Sequence, residues 1–190
     1  HFNKAIMDDY DRTISALSNK GMTVTVIILN DWNPNRPDLI YPGTKKSSNA
    51  FYYMFNGANE AGFEQTRAIA AFLADHYSGK DSNHGKVSNW IIGNEINNQQ
   101  WNYMGSMDLT NYVKVYQQAF RIFYTAIKST NANDRVYFSL DYNWMNEIDG
   151  KLKYGGKEIV DSFNSIANVQ GQMDWGLAYH PYPCPMIEPE

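Results

Sequence analysis

Apolar residues recur at helical spacing in four stretches of this chain and run almost unbroken in four others, and the two kinds alternate. Over residues 3–20, Ile6, Tyr10, Ile14 and Leu17 fall every three or four positions, which predicts one face of a helix stopped by Asn19-Lys20-Gly21. Met22 to Asn30 (MTVTVIILN) is apolar and β-branched, the pattern of a buried strand. Phe63 to Ser78 predicts a second helix with Ile69, Phe72, Leu73, His76 and Tyr77 on its inward side, and Val87 to Gly93 a second strand. Asp108 is a natural N-cap for the clearest helix, in which Leu109, Tyr112, Val113, Tyr116, Ala119, Phe120, Phe123, Tyr124 and Ile127 form one stripe. Arg135 to Leu140 reads as a third strand. Lys157 to Asn168 reads as a short helix with Ile159, Val160, Phe163 and Ile166 inward, and Asp174 to Tyr179 as a fourth strand. Residues 31–62 form a long insertion marked by Asn33-Pro34, Tyr41-Pro42-Gly43 and Asn56-Gly57, and loops of that length are usually functional.

The alternation predicts an α/β fold with parallel strands and right-handed crossovers. A doubly wound sheet normally carries a glycine-rich turn after its first strand, and here Asn30-Asp31-Trp32 stands in that place. Every predicted strand ends instead in polar and aromatic residues: Asn30, Asp31 and Trp32; Asn94, Glu95 and Asn97; Asp141, Asn143 and Trp144; His180 and Tyr182. Barrel enzymes build their sites at such strand ends. The expected fold is therefore a partial (β/α)8 TIM barrel, about strands three to six with their helices. Residues 1–190 would be a fragment of one barrel domain, with 31–62 as a long βα-loop insertion. A complete barrel takes about 250 residues. The abrupt opening His1-Phe2-Asn3 and the proline-rich close around Cys184, Glu188 and Glu190 fit an internal piece of a longer protein. The competing expectation is a complete small open α/β domain. A half barrel would expose sheet edges and apolar helix faces, and would meet its missing half or associate with itself through them.

Composition narrows the function classes. The chain is 43% hydrophobic and 19% charged, with a net charge of −4 and both signs interspersed, so no basic face for nucleic acid is expected. No apolar run reaches the ~18 residues of a membrane span. One cysteine excludes an internal disulfide and a cysteine-based zinc site. Aromatic residues make up 15% and asparagine occurs 21 times, a mixture of flat apolar faces and uncharged hydrogen-bonding groups that suits polyhydroxylated ligands.

The chemistry concentrates in Trp90-Ile91-Ile92-Gly93-Asn94-Glu95-Ile96-Asn97. An apolar strand delivers the Glu95 carboxyl, partly desolvated, beside an amide, a suitable setting for a general acid. The alternative is that Glu95 caps its loop or pairs with a cation. Trp32, Trp101, Tyr103 and Trp144 follow strand ends, where they either stack on sugar faces or pack the rim. Asp31 and Asp141 would bind hydroxyl groups. No compact acidic loop suggests a metal, no cofactor is implied, His76 reads as structural, and His84 reads as a solvated turn residue.

Asn94-Glu95 at one strand end, followed two strands later by His180-Pro181-Tyr182, resembles the clan A glycoside hydrolases, in which these motifs end strands four and six. The wider wording (WIIGNEIN, WNYMG, AFRIFYTAIKS, DWGLAYHPYP) looks like a family of uncharacterised bacterial barrel proteins allied to that clan, over nearly the whole chain. The resemblance implies a retaining hydrolase acting on an oligo- or polysaccharide, secreted or otherwise extracytoplasmic. Glu95 would be the acid/base, Asn94 would hold the sugar 2-hydroxyl, and His180 and Tyr182 would line the subsite. The clan's nucleophile ends strand seven, so it would lie outside this chain, and residues 1–190 alone would be inactive. A non-catalytic barrel that binds glycans is the alternative.

Overall fold

The computed structural model describes residues 2–145 and 149–182. The elements alternate as α1 (Lys4–Ser18), β1 (Thr25–Ile28), α2 (Glu60–His76), β2 (Asn89–Ile92), α3 (Leu109–Thr130), β3 (Arg135–Leu140), α4 (Gly156–Gln170) and β4 (Trp175–Tyr179). The α/β class is as the sequence predicts. The four strands make one parallel sheet in the order β1-β2-β3-β4. Thr25 pairs with Asn89, Asn89 with Arg135, and Val136 with Trp175, so neighbouring carboxyl ends are held side by side.

Helix ends are set by local chemistry. The Asn3 side chain accepts from the Ala5 and Ile6 amides, Asn59 caps α2 through the Gly62 amide, and Asp108 caps α3 through the Asn111 amide. Each cap satisfies amides that have no partner inside the helix.

The core lies on one face of the sheet. Trp90 and Ile92 of β2 and Val136, Phe138 and Leu140 of β3 are each 0–1% exposed, and they cluster with Phe120 and Phe123 of α3 and Phe163 of α4. Phe138 meets Phe163 at 4.9 Å and Trp175 at 5.1 Å between ring centroids. Burying each such side chain contributes ~1.5–3 kcal/mol. Val26 and Ile28 of β1, with Trp175 and Leu177 of β4, pack partly against the same cluster. The alternate residues point the other way, and at the β1 edge that leaves Ile27 43% exposed.

Four expectations need correction. Residues 22–30 are not a buried strand: β1 covers only 25–28 and its residues alternate exposed and half-buried, because it is an edge strand whose second face meets no helix. The stripe on α1 is mostly exposed. Only Ile14 is buried, while Ile6, Tyr10 and Leu17 face solvent. On α2 the buried positions are Gly62, Thr66, Ala70 and Ala74, and Phe72 is exposed, because small residues let α2 lie close against the neighbouring helix. The insertion ends at Asn59 rather than 62, and it is ordered. It holds a 3₁₀ turn at Pro37–Leu39 and an Ile40–Phe55 bridge, and it buries Tyr53, Met54 and Phe55. It also sits hard against α3: a Cβ on Gly57 would lie 2.9 Å from the Ala119 amide nitrogen. The expected closing loop with Cys184, Glu188 and Glu190 lies outside the described residues.

Candidate active site at the strand ends

Glu95 sits immediately beyond β2, where the backbone turns through Gly93 (φ 77°) and Glu95 itself (φ 41°). Positive φ in a residue with a side chain costs ~1–3 kcal/mol and persists only where surrounding contacts hold it. Here the contacts are specific. The Glu95 amide donates to Ser139 Oγ at 2.8 Å, the Ile96 amide to the Ser139 carbonyl at 3.0 Å, and the Asn98 amide to the Glu95 carbonyl at 2.8 Å. From behind, Tyr116 donates to the Ile92 carbonyl at 2.5 Å and Tyr112 to the Ile96 carbonyl at 2.7 Å. Burial pushes both phenols well above their ordinary range, so they stay protonated donors.

The turn aims the Glu95 side chain across β3. Its Oε1 meets His180 Nδ1 at 2.8 Å, joining the ends of β2 and β4, which are not sheet neighbours. Both side chains are mostly buried, at 11% and 23% exposure. The His180 backbone is fixed by donation to the Leu140 carbonyl at 2.9 Å, and its ring lies 6.0 Å from that of Tyr182.

Asp141, at the end of β3, accepts from the Asn97 amide group and from the Asn143 backbone amide at 2.9 Å, while its own amide donates to Asn97 Oδ1 at 2.9 Å. Asn97 is 1% exposed and therefore positions Asp141 instead of facing a ligand. Glu95 and Asp141 line a cavity of about 310 Å³. Asn98 and Asn143 add neutral polar groups to it, Trp101, Tyr142 and Tyr182 add aromatic surface, and Lys153 adds a cation. Trp101 is braced by stacking on Phe51 at 4.7 Å. The Lys153 segment is shaped by Asp149, whose Oδ1 accepts from the amides of Lys151, Leu152 and Lys153. Those donors, Leu152 foremost, hold its carboxyl below the ordinary range.

A profile for a family of unknown function, DUF5722, matches residues 1–190. The chain belongs to that family. No curated protein matches it. In this DUF5722 chain the expected site residues separate into two groups. Glu95, Asp141, His180 and Tyr182 converge, Asn97 supports them, and Asn94 lies half-buried between Gly93 and Glu95 with no side-chain partner among the described residues. Asn30, Asp31, Trp32 and Trp144 do not join them. Asn30 is buried and donates to the Leu39 carbonyl at 3.0 Å, fastening the insertion. Asp31 is spent on the Trp32 amide, Trp32 packs on Tyr53, and Trp144 meets Tyr179 edge-on. Ser139, Lys153 and the two α3 tyrosines were missed. A hydroxyl inside the apolar run VYFSL is the signal that could have found Ser139, since a buried hydroxyl must find a partner.

Proposed function

We propose that this chain is the acid/base-bearing segment of a retaining glycoside hydrolase built on a (β/α)8 barrel. The observation that carries the proposal is the Glu95–His180 contact at 2.8 Å beside a cavity of aromatic and amide groups. The sequential strand order, without the reversal that marks a doubly wound sheet, supports the barrel. So does the packing of the core on one face alone, since parallel sheets are ordinarily covered on both and closure into a barrel covers the second.

In this reading His180 fixes the Glu95 rotamer through Oε1 and leaves Oε2 for the substrate. Protonated Glu95 gives its proton to the glycosidic oxygen as the bond to the anomeric carbon breaks. In the second step the same carboxylate takes a proton from water as that water displaces the sugar from the enzyme. Asn94 binds the hydroxyl beside the reacting carbon, Asp141, Asn98 and Asn143 bind others, and Trp101 and Tyr182 face the sugar rings. The nucleophile must stand about 5–5.5 Å from Glu95, and we place it on a strand following β4 in the whole protein. The substrate is an oligo- or polysaccharide.

The test is hydrolysis of a panel of aryl glycosides and oligosaccharides by the full-length protein, beside Glu95→Gln. A substrate cut by the wild type and slowed ~10²–10⁴-fold in the variant supports the proposal. Hydrolysis undiminished in Glu95→Gln contradicts it. A glycan-binding barrel without catalysis is the second reading. It is favoured by one observation: the other acid of the cavity, Asp141, is already engaged by Asn97 and Asn143. A glycan bound equally by both proteins and cut by neither would select it.

A further inference from the structure

At the opposite end of the sheet, three elements bring together Asp11 of α1, His76 from the last turn of α2, and His84 from the turn that leads to β2. Asp11 presents one oxygen to each imidazole. Oδ1 lies 2.8 Å from His76 Nε2, and Oδ2 lies 3.9 Å from His84 Nε2. One ligand-type atom from each of the three residues falls within 4.8 Å of the other two. The two rings stack at 3.8 Å, so their Nε2 atoms face the carboxylate from the same side. His84 is therefore packed, not the solvated turn residue its sequence position suggests.

Two further observations point to a bound cation. The outer nitrogen of His84, Nδ1, faces the Asp81 carboxylate at 3.7 Å, just beyond hydrogen-bond reach. A metal-bound histidine ordinarily turns its second nitrogen to such a carboxylate, which fixes the tautomer. Beside the cluster, Tyr77 meets His76 edge-on, and its hydroxyl is buried with no hydrogen-bond partner among the described residues. Asp11 Oδ1 is hydrogen-bonded to His76, but Asp11 Oδ2 and His84 Nε2 stand 3.9 Å apart, too far for a hydrogen bond, and a cation seated between the carboxylate and the two imidazoles, with the stacked rings fanned apart, would engage all three.

We propose that Asp11, His76 and His84 bind one divalent transition-metal ion, zinc by preference, through one carboxylate oxygen and two Nε2 atoms, with water completing the shell. Two imidazoles and a carboxylate are borderline ligands that suit zinc better than calcium or magnesium. Seating the ion replaces the Asp11–His76 hydrogen bond with two metal bonds, which opens the N···O separation to about 3.3 Å for tetrahedral bonds near 2.0–2.1 Å. The ion would clip α1 to the rest of the fold. That helix fully buries only Ile14 and packs Met7 partly against the core, and its hydrogen bonds to the turn before β2 are Asn19 to the Ser82 carbonyl and Ser18 Oγ from the Lys86 amide. The site is independent of the proposed hydrolysis and lies at the other end of the strands.

Untagged full-length protein, stripped with chelator, is titrated with zinc chloride by calorimetry and with cobalt(II) by visible absorption. His84→Ala, His180→Ala and Asp81→Asn are titrated alongside, with circular dichroism checking that each folds. The expected result is one ion per chain, a tetrahedral-type cobalt spectrum and a raised Tm. Asp81→Asn weakens binding ~10-fold and His84→Ala by more than ~100-fold, while His180→Ala binds like the wild type. Should His84→Ala fail to fold, His84→Gln replaces it. Absence of zinc binding at micromolar concentration overturns the proposal. Equal binding by the His84 variant, or loss of binding in His180→Ala, overturns it as well.

Discussion

The central and edge strands of one sheet carry unequal loads. β2 and β3 have a neighbour on each side, and from Trp90 to Ile92 and from Phe138 to Leu140 every residue is buried. β1 and β4 have one sheet neighbour each, and none of their residues is fully buried. The candidate site divides along the same line. Glu95 and Asp141 end the central strands and are held by Ser139, Asn97 and two α3 tyrosines, whereas His180 ends an edge strand. Rigidity at Glu95 therefore comes from the packed centre. Its orientation comes from a partner on the sheet's less supported side.

The largest test of this contrast is in the core. Phe138→Ala should cost ~3–5 kcal/mol in urea unfolding, because it empties a site ringed by Tyr116, Phe120, Phe163 and Trp175. Ile27→Ala, on the open face of β1, should cost under ~1 kcal/mol, since that side chain is 43% exposed. Similar costs at both positions would break the comparison. Next comes Ser139→Ala, which leaves the Glu95 amide without its acceptor and should cost ~1–3 kcal/mol. It should also lower any glycosidase activity with little change in KM, because it disturbs the acid and not the cavity wall.

Smaller effects follow from two aspartates with opposite shifts. Asp134, at the entry to β3, is pushed above its ordinary range, chiefly by burial, although Trp90 donates to it. Its stabilising protonated form is present below the unfolded pKa of ~3.9, and that contribution is lost as pH rises through the higher folded value. Wild type should thus lose stability relative to Asp134→Asn as pH climbs from ~3.9 through the raised folded value. Asp149 works the other way. Held below its ordinary range by the Leu152 amide and its neighbours, it stabilises above ~3.9 and stops doing so as pH falls through its lower folded value. Asp149→Ala should give a small loss of stability near neutral pH that shrinks as pH falls through the lowered folded value, and a loosened Lys153 segment, which hydrogen exchange at Lys151–Lys153 would detect.

The strand ends were legible in the sequence because polar groups that close apolar runs stand out, as Asn94-Glu95 and His180 do. The element order and the α3 stripe were legible because period is a property of the chain itself. Burial was not, since it depends on what lies opposite. The apolar, β-branched run that reads as a buried strand at 22–30 becomes an edge, and the stripe on α1 meets little. Asn30 and Asn97 show the limit for function. An asparagine at a strand end is equally suited to a ligand or to a neighbouring loop, and both were used for the scaffold. The Asp11–His76–His84 group was invisible because Asp11 lies 65 residues before His76 and joins the two histidines only through packing.

The role of Glu95 is tested most directly by Glu95→Gly in the full-length protein, a substitution that the φ of 41° accommodates. The substrate is the dinitrophenyl glycoside of whichever sugar the panel identifies, whose leaving group needs no acid. The account predicts a fast burst of dinitrophenol, slow turnover afterwards, and rescue by azide with formation of a glycosyl azide of retained configuration. Wild-type turnover without azide, or turnover that azide leaves untouched while the variant remains folded, would contradict it.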